Sequence, residues 1–339
     1  MIQNPPSLGF GGGHVQALMY KKYIREIGVG INFVDFSDGE DNFEILHILG
    51  MQAGNCLNGM NAKRIGKKIV LSSIFYTEAN VLLYGLVNRI MSTSFFSFFQ
   101  NRFFLMQKLI DSADYILPNS TAEAMQLKKI FKIDKSKIKV VYNGVEPELF
   151  HGVDRNLFTE KFRVDSGFVL SVANINRRKN TLNLIKAFIE SNLNTKLVLI
   201  GNFNYEADAS YCAEVKRMIE KNSDKILLIN NLHYGDKMLL SAYLNARVHV
   251  LASTLETPGL ANLEAALAGC NLVVGDCAPV REYFGDRVLY CGHENIADIK
   301  EKIILAYHNG LNNDLSEFIV KKYSWQNIAR EVVNTYRSL

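Results

Sequence analysis

The stretch from His249 to Asp276 admits few folds. The apolar run Val248–Leu251 is followed by turn residues from Ser253 to Pro258. An Ala- and Leu-rich segment then runs from Gly259 to near Gly269, and a second apolar run covers Asn271–Val274. Two short strands flanking a helix make a parallel βαβ unit. Its chemistry sits where the loop enters the helix. Thr257 is placed to cap that helix and Pro258 to occupy its first position. Gly259 lets backbone approach a ligand closely. The N–H groups of Gly259, Leu260 and Ala261 point out of the helix start, which makes an anion site. Glu256 and Glu264 bracket this point, one ahead of the helix and one a turn inside it. Taken alone, such a pair also fits a capping carboxylate and a solvated one.

The same rhythm fills the rest of the chain. Apolar runs predict strands at 31–36, 43–49, 69–75, 113–117 and 138–142, then at 168–172, 196–201, 226–232 and 288–291, with helical patterns between them. Alternation of this kind predicts an α/β protein with parallel sheets covered on both faces. A length of 339 residues suits two domains. A polar connector from Glu146 to about Arg155, holding Pro147, places the boundary between 1–150 and 151–322. Tyr323-Ser324-Trp325 opens a last helix over 323–339, with Ser324 as its cap.

Several classes drop out. A net charge of +4 without a basic stripe gives no case for nucleic acid. The five cysteines are scattered and form no Cys-x-x-Cys pair, so free thiols in a reducing compartment are expected, with no zinc site. The N-terminus lacks the basic and apolar regions of a signal peptide, and no apolar run reaches the length of a membrane span. A cytoplasmic protein is expected. No P-loop and no Gly-x-Ser-x-Gly occurs. No Asp-x-Asp occurs either, and the looser pairs Asp38/Glu40 and Glu206/Asp208 read as solvated. Neither a metal site nor a cofactor is therefore expected.

Two segments carry further expectations. Gly9 to His14 is a Gly-rich turn ahead of a helical pattern, with hardly any strand before it. Between Glu78 and Asp111 there is no acidic residue, while Arg89, Arg102 and Lys108 accompany Phe95, Phe96, Phe98, Phe99, Phe103 and Phe104. Basic residues beside aromatics suit an anionic lipid surface. A helix hairpin burying its Phe face in the core fits the same composition.

The loop after the 168–172 strand carries Arg177, Arg178 and Lys179. Leaving a strand end in the same domain, it can converge on the helix mouth at Gly259. Guanidinium, ammonium and helix end would then surround a diphosphate. One carboxylate along the helix suits ribose hydroxyls and one at its mouth suits a sugar. Together these parts would bind a nucleotide-diphosphate sugar.

These residues resemble a GT-B glycosyltransferase of glycosyltransferase family 4, over nearly the whole length. Glu256 and Glu264 match the family's E-x7-E element within Leu255–Ala265. Ser171–Asn180 resembles the donor loop, and Val141–Val145 with Phe150 resembles the interdomain segment. Pro118–Ser120, Arg281-Glu282 and Tyr323–Trp325 fall in the same order. The resemblance implies two Rossmann-like domains facing across a cleft, with the last helix crossing back onto the first. It also implies retention of anomeric configuration without a metal. Glu256 would be catalytic, standing against the donor sugar. Gly12, Gly13, Asn174, Arg178, Lys179, Leu232, Gly259, Leu260, Ala261 and Glu264 would bind the donor, with Glu264 on the ribose. Phe95, Phe96, Phe98, Phe99 and Arg102 would form the membrane or acceptor side.

Three positions depart from the family pattern. Ala173-Asn174 replaces the common Gly-Arg, so Arg177 or Arg178 would carry that charge. Ile74 stands where a His is frequent, and the first strand is very short. The expected activity is transfer of a hexose or N-acetylhexosamine from a UDP- or GDP-sugar to a glycan, most simply a lipid-linked one, in surface-polysaccharide synthesis at the inner face of the cytoplasmic membrane. A soluble acceptor, or a non-catalytic sugar-nucleotide-binding partner on the same fold, are the alternatives.

Overall fold

Every strand pairing in the computed structural model, which describes residues 2–3, 11–34, 43–93, 101–311 and 313–339, is parallel. Parallel pairing needs a crossover between consecutive strands, and the helical segments supply it. The chain forms two compact units. One comprises Met1–Gly144 with Trp325–Leu339, the other Val145–Ser324. The division falls at Gly144/Val145 because Val145 N–H donates to the Tyr323 carbonyl (2.7 Å) and Val145 bridges Ser324. Glu146 likewise accepts from the Tyr234 hydroxyl (3.2 Å), which ties the polar connector to the second unit.

The first unit runs β1 (Ile2–Gln3), α1 (Gly12–Glu26), β2 (Ile45–Leu49), α2 (Ala53–Arg64), β3 (Lys68–Ser72), α3 (Val81–Met91), α4 (Arg102–Ser112), β4 (Tyr115–Ile116) and α5 (Thr121–Phe131), with sheet order β1-β2-β3-β4. Leu46, Ile48, Ile69, Leu71 and Ile116 alternate with residues facing the other side and pack with Leu105, Leu109, Leu127 and Ile130 of α4 and α5. Ser120 caps α5, accepting from Glu123 N–H at 3.0 Å. The buried Glu123 carboxylate in turn accepts from the N–H groups of Phe75 (2.7 Å) and Asn119 (2.8 Å).

Several predicted strands are shorter. The 69–75 run stops at Ser72, because Ile74 takes a left-handed φ of 45° that no strand continues through. Of 31–36, the described residues contribute one bridge, Phe33 to Ile2. The run at 138–142 lies along Ile116 and Pro118 through Lys139 and Val141 N–H bonds but forms a single bridge, not a strand.

The second unit runs α6 (Asn156–Phe162), β5 (Phe168–Val172), α7 (Thr181–Ser191), β6 (Leu197–Ile200), α8 (Tyr205–Lys221), β7 (Ile226–Ile229), α9 (Lys237–Asn245), β8 (Ala246–Leu251), α10 (Leu260–Leu267), β9 (Asn271–Gly275), α11 (Ala278–Phe284), β10 (Leu289–Cys291), α12 (Ile296–His308) and α13 (Asn313–Tyr323). Its sheet order is β10-β9-β8-β5-β6-β7, a doubly wound arrangement whose order reverses beside β5 and β8. The central strands are buried on both faces, which explains their unbroken apolar runs. The 226–232 run ends as a strand at Ile229, since Asn231 turns left-handed (φ 61°).

The last helix, α14 (Trp325–Tyr336), belongs to the first unit. Trp325 is buried edge-on against Tyr20 of α1, with ring centroids 6.0 Å apart, and the Tyr336 hydroxyl hydrogen-bonds His47 Nδ1 at 2.6 Å.

Candidate functional site

β5 and β8 are neighbours, so the loops leaving their carboxyl ends emerge side by side. The first carries Arg177–Lys179 in one 3-10 turn, capped by the Asn176 side chain on Lys179 N–H (3.1 Å). The second joins β8 to α10. Thr254 N–H donates to the Arg178 carbonyl (2.9 Å), and Arg178 Nη1 donates to the Leu255 carbonyl (2.7 Å). Asn180 adds a third link, its Nδ2 donating to the Ala252 carbonyl at 3.0 Å.

These ties bring three charges together. Arg178 Nη1 lies 3.1 Å from Glu256 Oε1, and Lys179 Nζ donates to the same oxygen. Glu256 is buried. Burial raises its pKa, but Lys179 and Arg178 outweigh it and hold the carboxyl below its usual value. For Lys179, burial outweighs the attraction of Glu256, and its pKa lies below that of a free lysine. Removing one partner from such a pair strands the other charge away from water, a loss of about 3–5 kcal/mol where no second partner remains.

The helix mouth adjoins this cluster. Gly259 is the cap of α10, at φ 83°, and its carbonyl takes the first helical bonds from Asn262 (3.0 Å) and Leu263 (3.4 Å). The expected cap at Thr257 and first helical position at Pro258 are therefore corrected. Glycine alone enters this φ without steric penalty, so the chain turns into the helix later than expected. Leu260 and Ala261 precede the first intrahelical donor, and their N–H groups have no acceptor inside the helix. All three backbone positions are half-exposed. A Cβ on Gly259 would lie 3.2 Å from Glu256 Oε2, so the second carboxylate oxygen stands at the helix mouth. Gly275 is needed for a similar reason: a Cβ there would come 2.1 Å from the Ser253 carbonyl oxygen.

Glu264 lies further along α10, half-buried, and accepts from the Tyr243 hydroxyl at 2.9 Å. Burial pushes its pKa up to about 7, with the Tyr243 hydrogen bond offsetting part of the rise. Near neutral pH it therefore offers both a donor and an acceptor to hydroxyls. Tyr243 is the residue that the sequence reading missed. It lies in α9, and nothing in the sequence ties it to Glu264.

The other expected residues are more dispersed. Arg177 turns away to Asp208 (2.8 Å) and over the Tyr211 ring, whereas Arg178 faces Glu256. Asp208, read as solvated, is thus a partner of the basic turn, and the bonds from Tyr211 N–H, the Ser210 hydroxyl and Arg177 lower its pKa. Asn174 is exposed, its Oδ1 3.4 Å from Asn202 N. Leu232 is half-buried in the loop after β7. Gly12 and Gly13 form the first turn of α1 in the other unit. Arg102 is exposed at the start of α4. Phe95, Phe96, Phe98 and Phe99 lie outside the described residues. No cluster of three metal-ligating side chains is found among the described residues.

Two parallel α/β units, the second with a charged sheet-end cluster beside a helix mouth, place the chain in the GT-B class. HepE of Anabaena, solved with UDP-glucose, superposes at a TM-score of 0.75 with 15% identity, covering 100% of this chain and 99% of that one. Sucrose-phosphate synthase of Thermosynechococcus elongatus gives 0.71 at 16% identity, covering 99% of this chain and 81% of that one. The chain belongs to the glycosyl transferases group 1 family, whose sequence profile matches residues 153–330. A glycosyltransferase of Methanocaldococcus jannaschii is 28% identical over 68% of this chain and 63% of its own length. The N-acetylgalactosamine-N,N'-diacetylbacillosaminyl-diphospho-undecaprenol 4-alpha-N-acetylgalactosaminyltransferase of Campylobacter jejuni is 25% identical, over 80% of this chain and 64% of that protein. An O-antigen chain mannosyltransferase of Escherichia coli is 23% identical, over 51% and 46% respectively. The chain thus spans less than two thirds of the length of these relatives.

Proposed function

We propose that this chain is a retaining glycosyltransferase moving a hexose or N-acetylhexosamine from a UDP- or GDP-sugar to a lipid-linked glycan, in surface-polysaccharide synthesis at the inner face of the cytoplasmic membrane. The observation that carries this reading is the convergence of Arg178 and Lys179 on Glu256, beside the half-exposed helix mouth at Leu260 and Ala261. The cations and the free N–H groups would take the diphosphate. Glu264, on the same helix, would bond the ribose hydroxyls, and Glu256 would face the sugar.

In the transfer step the bond from the anomeric carbon to the diphosphate oxygen breaks. The sugar passes through an oxocarbenium-like state whose positive charge Glu256 meets. The acceptor oxygen bonds on the face the diphosphate leaves, and its proton moves to the departing phosphate oxygen. Configuration is thereby retained. Arg178, Lys179 and the helix end would meet the leaving-group charge, where the sequence has no Asp-x-Asp to bring a metal.

The donor class is supported by the Anabaena structures, which hold UDP and UDP-glucose. A lipid-linked acceptor is supported by the name of the Campylobacter relative and a surface polysaccharide by that of the Escherichia one. The test is a panel of UDP-, GDP- and dTDP-sugars with lipid-linked and soluble glycan acceptors. One donor should be transferred to the lipid-linked acceptor, and Glu256→Ala should lower that turnover by about 100-fold or more. Full turnover in Glu256→Ala would remove Glu256 from the chemistry. Binding of a nucleotide sugar with neither transfer nor hydrolysis would leave a non-catalytic role.

A further inference from the structure

α3 is built inside out. Its inward face is Val81, Tyr84, Gly85 and Asn88: Tyr84 meets the rings of Phe75 and Phe103 edge-on, and the buried Asn88 donates to Gln107 at 2.9 Å. Its outward face is aliphatic. Leu82, Leu83, Leu86, Val87 and Ile90 are between 36% and 79% exposed, and their spacing puts them on one stripe. Helices in water place such residues the other way round, so a stripe of this kind calls for a covering partner.

The charges around the stripe say which. Arg89 borders it on the same helix. α3 lies against the end of α5 at Gly85, where a Cβ would be in ordinary contact, 3.5 Å from Ile130 Cα and 3.6 Å from the Lys129 carbonyl oxygen. Lys128, Lys129 and Lys132 are exposed at that end. The flanking exposed acids are Glu78, ahead of the Asn80 cap, Asp111, which accepts from Gln107 (2.9 Å), and Asp134, whose carboxylate is engaged by the Ser136 N–H (2.9 Å). An aliphatic face rimmed by cations matches an anionic bilayer: apolar stripe to the acyl boundary, cations to the headgroups. Eleven residues make a helix of about 16 Å, well short of a hydrocarbon core, so α3 would lie in the plane.

We propose that α3, with the basic end of α5, docks this protein on an anionic membrane surface. The inference rests on the membrane setting of the reading above and names the surface that meets it, and its test needs no donor sugar, so either can fail without the other. The purified chain is sedimented with phosphatidylcholine vesicles, with and without phosphatidylglycerol, alongside Leu82→Ser/Leu86→Ser/Ile90→Ser and Lys128→Glu/Lys129→Glu variants whose thermal melts are checked. Binding is expected only with phosphatidylglycerol, weakened about tenfold or more by either set of changes. Equal binding to both vesicles, or no loss in the folded variants, would overturn the proposal. So would a wild-type dimer by light scattering that the serines break while vesicles go unbound, which would give the face to a second copy.

Discussion

Glu256 and a diphosphate have use for the same two cations. Arg178 and Lys179 both serve Glu256 Oε1. A phosphate arriving there must share them, and its own charge is repelled by the carboxylate. Glu256→Gln keeps the shape and removes the competitor. By titration calorimetry it should bind UDP about 3–10-fold more tightly than wild type, while transfer falls. Weaker binding would mean that the cations do not face the phosphates. Protonation gives a second expectation. The folded pKa of Glu264 is about 7, above its unfolded value of 4.5, so the fold holds that proton more tightly. Its contribution to stability is full below 4.5 and is lost as pH rises through 7. Glu123, also raised to about 7 by burial, adds to the same decline. Urea midpoints across this window should fall less steeply for Glu264→Gln than for wild type. Glu256 runs the opposite way: its lowered pKa gives stability above the unfolded value that is lost as pH falls through the folded one. Much at this scale was legible, since the Glu256–Glu264 spacing and the basic turn stand in the sequence. The Tyr243 partner of Glu264 and the Asp208 partner of Arg177 were not, because only the fold brings α9 to α10 and α8 to the turn.

α10 is short, and what matters in it is how it begins. Gly259 at φ 83° turns the chain so that Leu260 and Ala261 present their N–H groups beside Glu256. Gly259→Ala forces a Cβ into left-handed backbone and within 3.1 Å of Asn262 Nδ2. It should cost about 1–2 kcal/mol in chemical denaturation and weaken UDP-sugar binding. Unchanged binding would show that the helix mouth does not hold the donor. Elements with an unambiguous period were read well: β5 and β9 follow their apolar runs closely. Errors fell where one backbone angle decides. The strands expected to reach Phe75 and Leu232 end at Ser72 and Ile229, where polar residues interrupt the apolar runs and Ile74 and Asn231 then turn left-handed. The cap of α10 failed for the same reason, because Thr257 and Pro258 fit a helix start in sequence while the positive φ sits at Gly259.

At the scale of the molecule, the chain leaves its first unit at Gly144 and returns to it at Trp325. The first unit is therefore closed by a helix made last. Trp325 is buried beside Tyr20, and Val332 and Val333 are buried with it. Trp325→Ala should destabilise that unit by about 3–5 kcal/mol, measured by urea unfolding. A loss below 1 kcal/mol, at about the size of a surface change, would mean that α14 contributes little to it. The parallel two-unit plan was legible because apolar runs and helical periods alternate along the whole chain. Which unit owns the connector was not, since Val145 pairs with residues far along the sequence. Arg178, Lys179, Glu256 and the start of α10 should together hold a nucleotide-diphosphate sugar. Thermal unfolding with a panel of nucleotide sugars tests it most directly, because a ligand that binds only the native state must raise its stability. At a hundred times its dissociation constant, the matching donor should add about 2.7 kcal/mol, and Arg178→Ala/Lys179→Ala should abolish the shift. A panel in which no nucleotide sugar moves the wild-type transition, or in which the shift survives in the double variant, would contradict it.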